Sequence, residues 1–277
     1  MKDAFVTKRK KPEKKTPSHL KEGISIDNTV QKAGMRLNKA IADRGFCSRR
    51  KADDLIFAGR VMVNGVAVLE PGTRVIVSDT ISIDGKEIVQ ADQKKTYLML
   101  HKPIHTVSTV FDPEGRPTVL DCLPEQYKKI RLYPVGRLDY FSEGLLLLTN
   151  DGELTHTLLH PRFHLPKTYH VTVRGFVPSK TLTIMQQGMT LSDGQKLMPV
   201  TVHATSLGHD TTLLSFILHQ GINRQIRRMC EELHLTILKL VRIAEGPLSL
   251  GTLEYGAVRE LTAKEIMMLK KLCHTTR

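Results

Sequence analysis

Gly136-Arg-Leu-Asp139-Tyr-Phe-Ser-Glu143-Gly-Leu-Leu-Leu-Leu148-Thr-Asn-Asp-Gly152 places a polar stretch between two apolar ones. Before it comes Leu132-Tyr-Pro-Val135. After it, residues 145–149 form a short apolar run closed by Asn150, Asp151 and Gly152, the pattern of a strand bounded by turn residues. Asp139 is therefore expected in a loop on a rigid scaffold, where functional side chains concentrate. A lone Asp in such a loop more often caps a turn than performs chemistry, so the stretch defines a candidate and leaves its role open.

Working outward, strands are predicted at 97–101, 169–173, 201–204, 213–218 and 237–241. Helices are predicted at 153–160, 179–187, 224–233 and 263–272. Strands outnumber helices and show no regular βαβ alternation. The expected class is α+β with a mixed, largely antiparallel sheet spanning 94–277. There is no internal repeat.

The N-terminal third differs. Residues 1–34 read as a disordered basic tail, with Lys8-Arg-Lys-Lys11, Lys14-Lys15, Pro12 and Pro17 offering little to bury. From Met35 the pattern is that of a small module over 35–93. Leu37, Ala40 and Ile41 fit a short amphipathic helix, and Ser48 is an N-cap candidate for a second carrying Ala52, Leu55 and Ile56. Strands are expected at 61–63, 74–77 and 81–83, with turns at Asn64-Gly65, Pro71-Gly72 and Asp84-Gly85. Arg36, Lys39, Arg44, Arg49, Arg50, Lys51 and Arg60 cluster on the helices and the joint after them. They form either a solvated face or a phosphate-binding surface.

Composition narrows the partner. Lys+Arg number 41 against 28 Asp+Glu, a net charge of +13. Such an excess favours a polyanion, either nucleic acid or an anionic membrane surface. The longest apolar run, the four leucines of 145–148, is far below the roughly 20 residues of a spanning helix. The first 22 residues lack the apolar core of a signal peptide. Cys47, Cys122, Cys230 and Cys273 are scattered, without metal or redox spacing, and read as reduced thiols of a cytoplasmic protein. With no Trp, 6 Tyr and 8 Phe, the chain is not a single-strand binder built on many stacking aromatics.

Three further groups carry side chains suited to chemistry. Glu143, four residues after Asp139, invites a glycosidase pair, which requires a particular carboxylate separation that nothing in the sequence imposes. His156, His160 and His164 recur every four residues, but Pro161 interrupts the helix and no Cys or paired acids accompany them. No metal is expected there. Gly221-Ile-Asn-Arg224-Gln-Ile-Arg227-Arg228-Met-Cys-Glu231 follows a strand and opens a helix, so amides and cations can converge on an anion. Arg227 lies between the apolar Ile226 and Met229, and an arginine near a core edge usually has an acidic partner. Asp139 would serve.

Arg36-Leu-Asn-Lys-Ala-Ile-Ala, Gly45-Phe-Cys-Ser48-Arg-Arg-Lys-Ala-Asp and Gly59-Arg-Val-Met-Val-Asn-Gly65 together resemble the αL RNA-binding motif shared with a small-subunit ribosomal protein. The stretch 136–152, Lys167-Thr-Tyr169 and 221–229 resemble, in order, the motifs of the ribosomal-RNA pseudouridine synthases that carry this N-terminal module. The Asn223–Glu231 segment is most similar to the branch modifying large-subunit (23S) RNA. The resemblance implies a cofactor-free isomerase acting on structured RNA, 23S ribosomal RNA or a pre-ribosomal particle first, with transfer RNA and small-subunit RNA left open as targets; a monomer is expected. It implies that Asp139 is the nucleophile, Arg227 its basic partner and Tyr169 the tyrosine that stacks on the uracil. Arg137 would assist extrusion of the nucleotide, and Ile226 and Leu240 would line an apolar pocket. RNA contacts are expected from Arg36, Lys39, Arg49, Arg50, Lys51, Arg60, Arg224 and Arg228. One departure is His105, two positions after Lys102-Pro103, where the family usually has Gly; a differently shaped loop is expected. The rival reading is a binding-only assembly factor, against which the intact Asp139, Tyr169 and Arg227 set argues.

Overall fold

The structure is a computed structural model describing residues 34–89, 94–160 and 165–274. The expected basic tail up to residue 33, and Pro161 and His164 of the histidine series, lie outside the described residues. The chain divides into two compact units, Met1–Ala91 and Asp92–Arg277.

In the first unit, β1 (Met35–Arg36), α1 (Leu37–Asp43) and α2 (Arg49–Phe57) precede five short strands. These are β2 (Val61–Val63), β3 (Val66–Ala67), β4 (Arg74–Val75), β5 (Ile81–Ile83) and β6 (Lys86–Glu87). The Ser48 hydroxyl caps α2 by accepting from Lys51 N at 3.1 Å, as the Ser-first pattern predicts. Leu37, Ile41, Ile56, Val61 and Ile81 fill one small core. Asn64-Gly65 and Asp84-Gly85 turn with consecutive positive φ angles of 51° and 80°, and 51° and 75°, the geometry of tight two-residue hairpins. The strand expected over 74–77 stops at Val75. Asp79 Oδ2 accepts from Ile76 N at 2.7 Å and turns the chain, leaving Val77 95% exposed. β1, β3 and β6 went unpredicted because two-residue strands carry no periodicity.

The second unit is built on a nine-stranded sheet. In chain order its elements are β7 (Tyr97–Lys102), α3 (Glu125–Lys128), β8 (Tyr133–Val135), β9 (Glu143–Thr149), α4 (Gly152–Leu159), β10 (Lys167–Arg174) and α5 (Ser179–Gln187). Then follow β11 (Thr201–Gly208), β12 (Thr211–Leu218), α6 (Gln225–Glu232), β13 (Ile237–Glu245), β14 (Leu248–Ser249), β15 (Val258–Glu260) and α7 (Ala263–His274). The strand order is β11-β12-β10-β13-β9-β7-β15, with β14 on β13 and β8 on β9. All these pairings are antiparallel except β9 with β13. The α+β class with a mixed, largely antiparallel sheet stands.

The four leucines of β9 explain themselves here. Leu145 and Leu147 enter a core with Met99, Val135 and Leu158, while Leu146 and Leu148 enter another with Leu98, Leu132 and Leu138. A strand covered on both faces reads as a continuous apolar run.

The parallel pairing is short, Val241 opposite Glu143 and Arg242 opposite Gly144. Gly144 has φ 112°, and a Cβ there would lie 2.3 Å from Arg242 O and 2.6 Å from Arg242 N. Only glycine permits this approach. We predict that Gly144→Ala destabilises the protein by about 3 kcal/mol or more, through a clash combined with a strained φ. That corresponds to a drop in melting temperature of roughly 6–12 °C, read by thermal denaturation. An unshifted melting curve would show that the two strands are not held at this distance.

Candidate active site

Asp139 stands in the Gly136–Ser142 loop between β8 and β9. Its backbone is held from two sides. Ser142 N donates to Asp139 O at 3.0 Å, closing a tight turn. The buried Ser108 hydroxyl donates to Leu138 O at 2.8 Å and lies 3.1 Å from Leu138 N. Beneath the turn, Lys102 is fully buried; its Nζ donates to Pro103 O at 2.8 Å and Ser142 O at 2.9 Å. Burial pulls the Lys102 amine down to about 8, with Asp139 and Glu143 among the groups that oppose the shift.

The carboxylate faces cations from the start of α6. Arg227 Nε lies 3.6 Å and Arg224 Nη1 4.0 Å from Asp139 Oδ2, ion-pair distances rather than hydrogen bonds. Arg227 Nη2 also donates to Phe141 O at 2.8 Å and Ser142 Oγ at 3.0 Å, so one guanidinium grips the whole turn. Burial lowers the Arg227 pKa, with Asp139 opposing that shift and Arg224 adding to it. The helix is set by burial of Ile226, Met229 and Cys230. Arg224, just before it, adopts a left-handed backbone with φ 50°.

Asp139, Arg224 and Arg227 line a cleft of about 610 Å³ together with Arg137, Tyr169, Ile226 and Leu240. That volume lies within the usual span of small-molecule sites. Ile226 and Leu240 are also members of the core, so pocket wall and packing are one role for both. Tyr169 comes from β10, where a register shift falls between Thr168 and Tyr169. Burial raises the pKa of its phenol, while Arg242 beside it works the other way.

Sequence reasoning missed a charged group under Tyr169. Arg242 is buried, donates from Nε to Leu145 O at 2.7 Å and lies 3.5 Å from Glu245 Oε2 through Nη2. Lys167 Nζ reaches Glu245 Oε1 at 3.7 Å. Burial opposes the charge on Arg242, but Glu245 and Tyr169 outweigh it and its pKa rises. All three side chains border the cleft, as do His219 and the buried Gln225. The only hint of them was Lys167 within Lys167-Thr-Tyr169 and Gln225 within the 221–231 segment.

Other candidates fall elsewhere. Glu143 is buried, pairs with Lys239 Nζ at 2.9 Å and does not line the cleft, so no carboxylate pair forms with Asp139 there. His156 and His160 have ring centroids 5.5 Å apart, and His160 borders the cleft. Arg228, expected to contact RNA, pairs with Asp193 and Gln195 and is absent from the cleft lining. In the first unit, Arg36, Arg49, Arg50 and Lys51 are exposed, Lys39 lies 3.9 Å from Asp43, and Arg60 pairs with Asp84 through two hydrogen bonds. His105, in the loop expected to differ in shape, has a left-handed backbone with φ 59°.

A carboxylate held by two guanidiniums, an aromatic wall and a cationic rim suit a nucleotide whose base enters the cleft. The comparisons agree. The family profile described as RNA pseudouridylate synthase matches residues 96–232, and that of the S4 domain matches residues 35–81. Ribosomal large subunit pseudouridine synthase B of Bacillus subtilis (strain 168) is 40% identical over 241 residues, 86% of this chain and 96% of that protein. An uncharacterized RNA pseudouridine synthase of Aquifex aeolicus (strain VF5) is 40% identical over 239 residues, 86% of this chain and 94% of that one. The crystal structure of a pseudouridylate synthase matches with a TM-score of 0.60 and 28% identity, covering 85% of this chain and 99% of its own. The chain belongs to the RNA pseudouridylate synthase family. It is an RNA-modifying isomerase with an S4 domain in its first unit.

The grip of Arg227 on the Asp139 turn generates a graded prediction. Arg227→Leu removes both the ion pair and the two Nη2 hydrogen bonds, and should lower turnover at least about thirtyfold. Arg227→Lys restores charge without the planar fork and should fall between Leu and Arg. Single-turnover assays on RNA, run beside melting curves, check the order; a fully active Leu variant would exclude the pairing from the mechanism.

Proposed function

We propose that the protein isomerises one or two uridines of large-subunit (23S) ribosomal RNA to pseudouridine, with Asp139 as nucleophile and without a cofactor. The observation that carries this reading is the Asp139 carboxylate at the cleft, 3.6 Å from Arg227 and 4.0 Å from Arg224, with Tyr169 as a wall. Isomerisation breaks the N1–C1′ bond, turns the base and forms C5–C1′. The C5 proton leaves and N1 takes one up, so no electron carrier or group donor is consumed.

Each residue then has a task. Arg227 holds the Asp139 carboxylate in place. Tyr169 stacks on the uracil, its phenol steered by Arg242. Ile226 and Leu240 keep water from the separated base. The exposed Arg137 at the cleft edge assists extrusion of the nucleotide from its stem, a step costing a few kcal/mol. The similarity to the large-subunit synthase named above favours large-subunit RNA as substrate. The protein works as a monomer in the cytoplasm, with residues 35–93 as an RNA-binding domain and 94–277 as the catalytic domain.

Arg49, Arg50 and Lys51 occupy the first turn of α2, where the helix dipole disfavours cations. Three exposed cations at that end are explained by phosphate contacts.

Two experiments test these assignments. Asp139→Asn should abolish pseudouridine formation in unmodified ribosomal RNA transcribed in vitro while leaving RNA affinity within about twofold, because binding is spread over many phosphate contacts. Near-wild-type conversion by that variant would sink the mechanism. Replacing Arg49, Arg50 and Lys51 together by Ala should flatten the slope of log K against log salt by about 2, roughly 0.7 per lost contact. An unchanged slope would assign those side chains to the solvated face.

A further inference from the structure

The turn that carries Asp139 also carries an aromatic cluster that the chemistry above does not use. Tyr140 and Phe141 occupy its two central positions, and whereas Asp139 and Ser142 line the cleft, these two do not. Their rings lie 5.0 Å apart at 84°. His105, from the loop after β7, completes the group, 5.4 Å from Tyr140 and 5.5 Å from Phe141. His105 N donates to Tyr140 O at 2.7 Å. His105 is exposed and Phe141 is 58% exposed.

Two features argue against a passive surface cluster. Phe141 presents most of its ring to water instead of to the core, forgoing part of the roughly 1.5–3 kcal/mol that burial of such a side chain contributes. His105 keeps a left-handed backbone that glycine would hold without strain, and in doing so places an imidazole against both other rings. The cluster is also fixed to the nucleophile. Arg227 Nη2 holds Phe141 O at 2.8 Å, and the buried Lys102 Nζ bridges Pro103 O and Ser142 O at 2.8 and 2.9 Å. The aromatic face thus begins one residue from the Asp139 carboxylate, just outside the cleft.

We propose that His105, Tyr140 and Phe141 form a stacking platform for the unpaired base flanking the uridine in the cleft. The proposal rests on the RNA-isomerase reading and adds a contact that selects substrate context. A uridine that leaves its stack deprives its neighbour of a stacking face. Aromatic side chains supply such a face to unstacked bases and tolerate any base identity. The neighbour, held on the platform, keeps the extruded nucleotide in register with Asp139.

The test uses the full-length enzyme and a stem–loop cut around whichever uridine it converts in unmodified ribosomal RNA. Each flanking nucleotide is replaced in turn by an abasic residue. On the intact stem–loop, Phe141→Ala and Phe141→Leu should each lower kcat/KM about tenfold, and Phe141→Trp should retain it within about threefold. His105→Gly, which suits the local backbone, should also lower it. An abasic residue at one flank should lower wild-type kcat/KM by a similar factor and there erase the difference between wild type and Phe141→Ala. A Leu variant as efficient as wild type, or an Ala penalty undiminished by either abasic flank, would overturn the platform while leaving the isomerase reading intact. A wild-type protein that converts no uridine would overturn both.

Discussion

The second unit depends on a two-residue contact. Where Arg242 lies opposite Gly144, the sheet half made of β11, β12, β10 and β13 joins the half made of β9, β7, β15 and β8. Asp139 belongs to one half, four residues before β9 begins. Tyr169 and Arg242 belong to the other, and Arg227 opens into the cleft from the helix between β12 and β13. The carboxylate therefore meets its cations and its aromatic wall only if the two halves close to backbone contact. Gly144 is the residue without which they cannot, since any side chain would meet the Arg242 backbone. The same pairing delivers the buried Arg242 side chain to Leu145 O, one residue beyond the contact.

Around this junction the protein places several buried charges. Lys102, Arg242 and Glu245 are almost fully buried, and each is bound to backbone oxygens or to an opposite charge. Such groups rarely add net stability, because desolvation consumes most of the attraction. What they supply is orientation. Lys102 ties two loops beneath Asp139, and Arg242 and Glu245 set the electrostatics behind Tyr169. A reaction that detaches and turns a base requires groups that stay in place while the substrate moves.

Much of this was legible in the sequence for identifiable reasons. The β9 leucines stood out because both faces of that strand are buried, and Ser48 because a cap has local chemistry. The 136–152 and 221–229 segments are contiguous, so the resemblance they carry could be read directly. The parallel pairing could not, because it joins residues 143–144 to 241–242 through backbone geometry that leaves only a glycine as its trace. Arg242 and Glu245 look like surface residues in a one-dimensional pattern, and their burial follows from that pairing. Ser108 was invisible for a similar reason: its partner, Leu138, is distant in sequence. His105 is legible in the sequence as a departure from the family pattern, but its left-handed backbone and the contact of its ring with Tyr140 and Phe141 needed the fold.

One small junction brings together a carboxylate, its cations and an aromatic wall. The proposed role of this junction in isomerising ribosomal uridines is put to the test by mapping pseudouridines in ribosomal and transfer RNA from cells with and without the gene. One or two large-subunit uridines should lose the modification in the deletion strain and regain it when the wild-type gene is restored. An unchanged large-subunit map, or a loss confined to transfer RNA, would contradict that role.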